Sequence, residues 1–153
     1  MPSAYELAQL NIANLAAPLD TPRLSDFVDN LERINALAEQ SPGFVWRLQT
    51  DDGDATSIRP FGASYIVNLS VWKDIDSLHA YVYRSAHAKL LSRRKEWFLP
   101  LRDQSSVLWW VPTGHLPTVA EAQQKLRLLQ TSGASPQAFT FKKRFAAPLG
   151  SKA

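Results

Sequence analysis

Ser64-Tyr65-Ile66-Val67-Asn68-Leu69-Ser70-Val71-Trp72 alternates without interruption, with Tyr65, Val67, Leu69 and Val71 on one face of an extended chain and Ser64, Ile66, Asn68, Ser70 and Trp72 on the other. That period of two marks a strand, and its flanks define the elements around it. Upstream, Phe44-Val45-Trp46-Arg47-Leu48-Gln49 is a second strand rich in aromatic and branched residues. Residues 50 to 63, with Asp51-Asp52-Gly53-Asp54, Pro60 and Gly62, read as a turn joining the two strands antiparallel. Before them, Asp20-Thr21-Pro22 opens a helix whose apolar positions Leu24, Phe27, Val28, Leu31, Ile34 and Ala38 follow a 3.6-residue period, and Pro42-Gly43 ends it. Tyr5 to Ile12 is a first strand, with Tyr5, Leu7, Gln9 and Asn11 on one face and Ala8, Leu10 and Ile12 on the other. Downstream, Asp74 caps a helical region that runs to about Trp97 with a break near Ser85, and Pro100 stops it. Val107 to Val111 is a further strand, closed by Pro112 and Gly114. Thr118 caps a last helix, Val119 to about Gln130, with Val119, Ala122, Leu126 and Leu129 as its stripe. The tail from Gly133 is loop-like, with Ala138-Phe139-Thr140-Phe141 as a candidate edge strand.

Strand, helix, strand, strand, helix, strand, helix is the order of a ferredoxin-like split βαβ motif with an added C-terminal helix. The class is α+β: a four-stranded antiparallel sheet with two helices on the face that carries Tyr65, Val67, Leu69 and Val71. The sequence reads as one domain over residues 1–153, with a core of about 4–112 and the helix and tail at 118–153. The opposite face, with Ile66, Trp72 and the wholly apolar last strand, is too apolar to meet water. The simplest cover is the same sheet of a second copy, which gives a homodimeric α+β barrel. The C-terminal helix is the competing cover.

Composition narrows the function. The 153 residues are 45% hydrophobic and 20% charged, a globular balance. There is no cysteine, which excludes disulfides, a thiolate nucleophile and cysteine-ligated metal or iron–sulfur centres and fits a cytoplasmic protein. No apolar run reaches the roughly 18 residues of a membrane span, and Met1 to Ala13 has no basic start of the kind a secretory signal carries. Seventeen basic against fourteen acidic residues leave +3, which does not advertise a nucleic-acid partner. Lys142, Lys143 and Arg144 interleave with Phe139, Phe141 and Phe145, but no other basic stripe supports them. No phosphate-cradling glycine run, nucleophile elbow or zinc-protease motif occurs, and Asp51-Asp52-Gly53-Asp54 lacks the alternation of a calcium loop.

Two constellations carry chemistry. On a continuous helix His87, Leu91, Arg94 and Phe98 share a face, with Leu90 and Trp97 beside them. An imidazole and a guanidinium on an apolar stripe can grip an anion, move a proton or ligate haem iron. The plainer reading has them bonding backbone or carboxylates. The other constellation is the interior of the barrel, where Asn11, Trp46 or Arg47, Asn68, Ser70, Trp72 and Trp109 or Trp110 converge. Which parity of the second and last strands faces inward is open. An apolar cavity with a few hydrogen-bonding groups suits a small, apolar or aromatic molecule; otherwise these side chains fill a dimer core. His79 and Tyr83, four apart, make a poor metal site, and no metal site is expected. His115 reads as a turn residue, and Asn35 as bonding nearby backbone rather than reaching the pocket mouth.

Ser41-Pro42-Gly43-Phe44-Val45-Trp46-Arg47-Leu48, His87-Ala88-Lys89-Leu90-Leu91-Ser92-Arg93-Arg94-Lys95-Glu96-Trp97-Phe98 and Trp109-Trp110-Val111-Pro112-Thr113-Gly114-His115 resemble the signature segments of the family called domain of unknown function 3291. Its architecture is similar to the dimeric α+β barrel superfamily that includes the antibiotic-biosynthesis monooxygenases. The resemblance implies a small-molecule oxidoreductase, monooxygenase-like, that needs no cofactor. Asn68 and Trp72 then orient the substrate, and Arg47 or Arg94 stabilises a developing anion. Asn11, Trp46, Ser70, Trp97, Trp109 and Trp110 complete the binding residues. The alternative is a non-catalytic homodimer that sequesters a hydrophobic metabolite, or haem through His87.

Overall fold

The computed structural model describes residues 4–49, 56, 58–85 and 87–148; the acidic loop Asp51-Asp52-Gly53-Asp54 lies outside the described residues. Five strands form one sheet: β1 (Tyr5–Leu15), β2 (Phe44–Arg47), β3 (Tyr65–Trp72), β4 (Phe98–Leu99) and β5 (Ser106–Pro112). Among the described residues five α-helices accompany them: α1 (Ser25–Gln40), α2 (Ile75–Arg84), α3 (His87–Ser92), α4 (Arg94–Trp97) and α5 (Val119–Ser132). β1 is central. β3 flanks it on one side with β2 outside, and on the other side β5 pairs Tyr5 to Asn11 while the short β4 pairs Asn14 and Leu15. Every pairing is antiparallel, as the ferredoxin-like order requires.

The two faces of the sheet are covered by different helices. Leu7, Leu15, Ile66, Trp72 and Leu108 meet α1, α2 and α4 through Ala38, Leu78 and Trp97. Ala8, Leu10, Ile12, Val67, Leu69, Val71, Val107, Trp109 and Val111 lie under Ala122, Leu126 and Leu129 of α5. Burying each such leucine contributes about 1.5–3 kcal/mol, which is ample to dock α5. The faces are therefore the reverse of the sequence expectation: Asn68, Ser70 and Trp72 point at the α1–α4 layer, and the alternating valine set points at α5. Both residue sets of β3 are apolar enough to be buried, so pattern alone does not say which helix covers which. The Ile66 and Trp72 face, expected to need a second subunit, is covered by α1–α4, and the face expected to carry those helices is closed by the chain's own C-terminal helix.

Local chemistry explains the joints. Asp74 caps α2 by accepting from the Ser77 amide at 2.8 Å, and Thr118 caps α5 by accepting from the Glu121 amide at 3.1 Å. Between α1 and β2, Gly43 has φ +84°, and a Cβ there would stand 2.2 Å from Ser77 Oγ. A β-bulge between Phe44 and Trp46 resets the parity of β2, so Phe44 and Arg47 share the α1–α4 side with Trp72 and Ser70 while Trp46 joins Val71 on the α5 side. The expected edge strand in the tail is reduced to isolated bridges: Leu108 and Phe139 exchange backbone bonds of 2.8 Å each, and Ser135 pairs with Ala138. Phe141 then packs against His79 and Tyr83 on α2, the structural use of that pair. No helix among the described residues is long and apolar enough to cross a membrane.

Candidate functional site

β1 and β3 are buried or half-buried along their whole length except at one position each: Asn11 and Asn68 are exposed. These two asparagines are direct cross-strand partners at the middle of the sheet. They are exposed because the α1–α4 layer stands away from the sheet there and leaves a cavity of about 190 Å³. The asparagines form its floor. Phe27, Ile34 and Asn35 of α1 make one wall, and His87, Leu90 and Trp97 make the other.

A buried amide network lies beneath the floor. Gln9, two residues from Asn11 on β1, is buried and paired in register with Ser70. Its Nε2 donates to Ser70 Oγ at 2.7 Å and to Asn68 Oδ1, and it also lies 3.3 Å from the Asn68 backbone oxygen. Trp72 Nε1 donates to the same Ser70 oxygen at 2.9 Å. Ser70 and Trp72 thus support the floor and do not line the cavity. Trp72 in turn stacks on Tyr81 at 5.1 Å, and the Tyr81 hydroxyl donates to the Ile34 carbonyl at 3.1 Å. Burial pushes the Tyr81 phenol well above its usual range, with Arg47 pulling it slightly back, so it stays protonated.

The second wall follows from a break in the helical region. Ser85 takes an extended conformation at the end of α2, its hydroxyl donating to the Tyr81 carbonyl and accepting from the His87 amide at 3.1 Å. A new helix begins, and it carries His87 to the cavity 5.0 Å from the Tyr81 ring. His87 Nδ1 lies 3.2 Å from the Val82 carbonyl oxygen. A carbonyl only accepts, so Nδ1 holds the proton of the neutral ring and Nε2 is left with its lone pair. Burial lowers the His87 pKa below 6.5, and the Val82 bond opposes this only in part.

The cavity is rich in cations and donors. Arg47 lines it while its Nε bonds Glu39 Oε2 at 3.0 Å. Arg94 stands at the rim, donates to the Leu91 carbonyl at 3.0 Å and pairs with no carboxylate among the described residues. No Asp or Glu among the described residues lines the cavity. The site has a polar floor, a neutral imidazole with a bare nitrogen, guanidinium charge and apolar walls. It can accept a proton from a small ligand and hold the anion that results.

Of the residues expected from sequence, Asn11, Arg47, Asn68, His87, Arg94 and Trp97 come together here. The helical spacing of His87, Leu91, Arg94 and Phe98 survives as a shared destination although three elements carry it. Trp46 and Trp109 lie on the opposite face under α5, with Trp109 Nε1 bonded to Glu121 Oε2 at 2.9 Å. Trp110 Nε1 is held by the Phe145 carbonyl at 2.8 Å. None of these three lines the cavity: the β2 bulge and α5 take Trp46 and Trp109 to the other face, and the tail holds Trp110. Arg93 bridges Asp26 at 2.8 Å and Glu96 at 2.9 Å and covers the Trp97 ring at 4.8 Å, clamping α4 to α1. Asn35 reaches the cavity instead of bonding backbone. Gln9 and Tyr81 were missed. Gln9 had a signal, a lone amide two residues before Asn11 on the same face of an apolar strand.

Residues 6–153 match the family described as Domain of unknown function (DUF3291), and the chain belongs to it. It is similar in fold to SnoaB, a cofactor-independent oxygenase from Streptomyces nogalater, at 18% identity, covering 77% of this chain and 100% of that one with a TM-score of 0.43. A Pseudomonas aeruginosa protein is similar at 13% identity, 75% and 99% coverage and a TM-score of 0.48. A protein of unknown function from Nitrosomonas europaea is similar at 16% identity, 75% and 97% coverage and a TM-score of 0.46. Likeness at this level concerns the fold alone. The chain matches no curated protein.

Proposed function

We propose that the cavity between the α1–α4 layer and the sheet binds a small aromatic or enolic molecule, and that the protein is a monooxygenase-like oxidoreductase acting on it. The observation that carries this reading is the pair Asn11 and Asn68, exposed at the centre of an otherwise buried sheet and facing His87 across an apolar cavity. Two polar side chains at the middle of a core have no packing purpose, and here they meet empty space. A cavity of about 150 Å³ holds benzene, so about 190 Å³ suits a substituted single ring.

His87 Nε2 takes the proton of a ligand hydroxyl, and the oxygen anion is held by the floor amides and the Arg94 charge. Ionisation makes the ring electron-rich toward dioxygen. Where the oxidised position is a methylene, CH₂ and O₂ give C=O and H₂O, and the substrate supplies all the electrons. The second reading, a binding protein without turnover, uses the same cavity. His87 Nε2 also has the chemistry of a haem ligand, but about 190 Å³ does not enclose a macrocycle.

The test is oxygen uptake with a panel of small hydroxyaromatics and enolisable ketones. Asn68→Ala and His87→Ala are expected to keep the parent circular dichroism and to lose about 10²–10⁴ of the turnover each. Full turnover in both variants would end this site assignment. Saturable binding with no uptake by the parent protein would favour the binding reading.

A further inference from the structure

Asn68 can serve as a donor to an oxygen anion only if its amide is turned the right way, and the residue that turns it is not in the cavity. Gln9 lies behind the floor, 8% exposed, on the strand next to Asn68. One atom of its terminal amide is 3.3 Å from the Asn68 backbone oxygen, 2.7 Å from Ser70 Oγ and within bonding distance of the Asn68 side-chain oxygen. A backbone oxygen accepts and never donates, so that atom is the amide nitrogen, Nε2. The Asn68 atom it also meets must then be an acceptor, Oδ1. The Asn68 Nδ2 group is left with both protons and no hydrogen-bond partner among the described residues, and Asn68 is exposed and lines the cavity. Ser70 anchors the Gln9 amide in place, its oxygen accepting from Trp72 Nε1 and from Gln9 Nε2, while the Asn68 backbone oxygen decides which way the amide is turned.

We propose that Gln9 is a positioning residue that fixes the polarity of the cavity floor, so that Asn68 presents N–H donors and the site selects ligands bearing an anionic oxygen over neutral ligands of the same shape. This rests on the reading of the cavity as a ligand site. Gln9 touches no ligand. It acts by occupying Asn68 Oδ1, which would otherwise face the cavity half the time and repel an anion.

The experiment has a ligand-free arm and a probe arm. Side-chain amide hydrogen exchange by ¹⁵N NMR is expected to show slow Gln9 Nε2 protons and fast Asn68 Nδ2 protons. The opposite order means that the amides are turned the other way and overturns the proposal, whatever binds. In the probe arm, 4-nitrophenolate and nitrobenzene are titrated into the parent protein, Gln9→Met and Gln9→Glu. The parent is expected to prefer the phenolate and to raise the ionised fraction of the bound probe, read from its absorbance at a pH where the free probe is half ionised. Gln9→Met should lose about tenfold of that preference with nitrobenzene binding unchanged, and Gln9→Glu, which only accepts, should reverse it. An equal loss of both probes means that Gln9 merely supports the fold and overturns the proposal. Should neither probe bind the parent while the exchange order holds, it is the cavity reading that fails, and the selectivity inferred from it falls too.

Discussion

His87 carries a pH dependence that follows from where its ring sits. Burial lowers its pKa from the ordinary 6.5, so the folded chain resists a proton that the unfolded chain accepts. Between the two values the unfolded state binds more protons, and stability therefore rises with pH across that window and levels off above about 6.5. His87→Asn keeps a donor for the Val82 carbonyl and does not titrate. Urea midpoints measured in a pH series are expected to fall in the parent as pH drops below about 6.5 and to fall less in this variant; parallel curves would place the ring in water. The proposed turnover is expected to have the same sign, since a depressed pKa keeps Nε2 unprotonated below the ordinary imidazole range. Nothing in the identity of His87 announces this. The residue spacing brought it to the right wall, but its tautomer depends on the Val82 carbonyl, which reaches it only because the helix breaks at Ser85.

At the scale of elements, Glu121 ties β5 to the first turn of α5. Its carboxylate accepts from Trp109 Nε1 at 2.9 Å and bonds His115 Nε2 at 2.7 Å, while its amide is capped by Thr118. Burial alone would raise its pKa, but the bonds from His115 and Trp109 outweigh that and hold it below the usual value. Its contribution is thus complete above the unfolded pKa and is lost as pH falls through the folded one. Glu121→Ala leaves the Trp109 indole N–H without its acceptor and is expected to cost about 1–3 kcal/mol, read as a lowered urea midpoint at neutral pH. A change within error would mean that α5 docks by its leucines alone. The elements themselves were legible: α1 and α5 from their stripes, β1 and β3 from alternation, and β5 from an apolar run closed by Pro112 and Gly114. Of the two joints that matter, the break near Ser85 was legible although neither glycine nor proline makes it, and the bulge beside Val45, which flips β2, escaped because no residue marks it. Those two joints decide which of Trp46, Arg47 and His87 see the cavity.

For the whole molecule, the question that the sequence left open was what dries the second face of the sheet. Two covers satisfied the same pattern, a second sheet or the C-terminal helix, because burial is indifferent to whose atoms do it. In the structure α5 supplies the cover, with Ala122, Leu126 and Leu129 between 1% and 3% exposed over Leu10, Trp109 and Val111. The apolar pattern of that face is thus satisfied within one chain and no longer argues by itself for a facing-sheet homodimer. Truncation before Thr118 separates the two covers. It strips α5 and the tail from Ala8, Leu10, Val107, Trp109 and Val111 at once, an apolar patch of the kind a soluble monomer does not leave open. The full chain is expected to bind little hydrophobic dye at every concentration. The truncated chain is expected to double or aggregate in light scattering as concentration rises, with dye binding that falls as it associates. A truncated chain that stays monomeric and dye-free would show that the sheet can dry this face without α5, and the stabilising role given to that helix would have to move to the α1–α4 side.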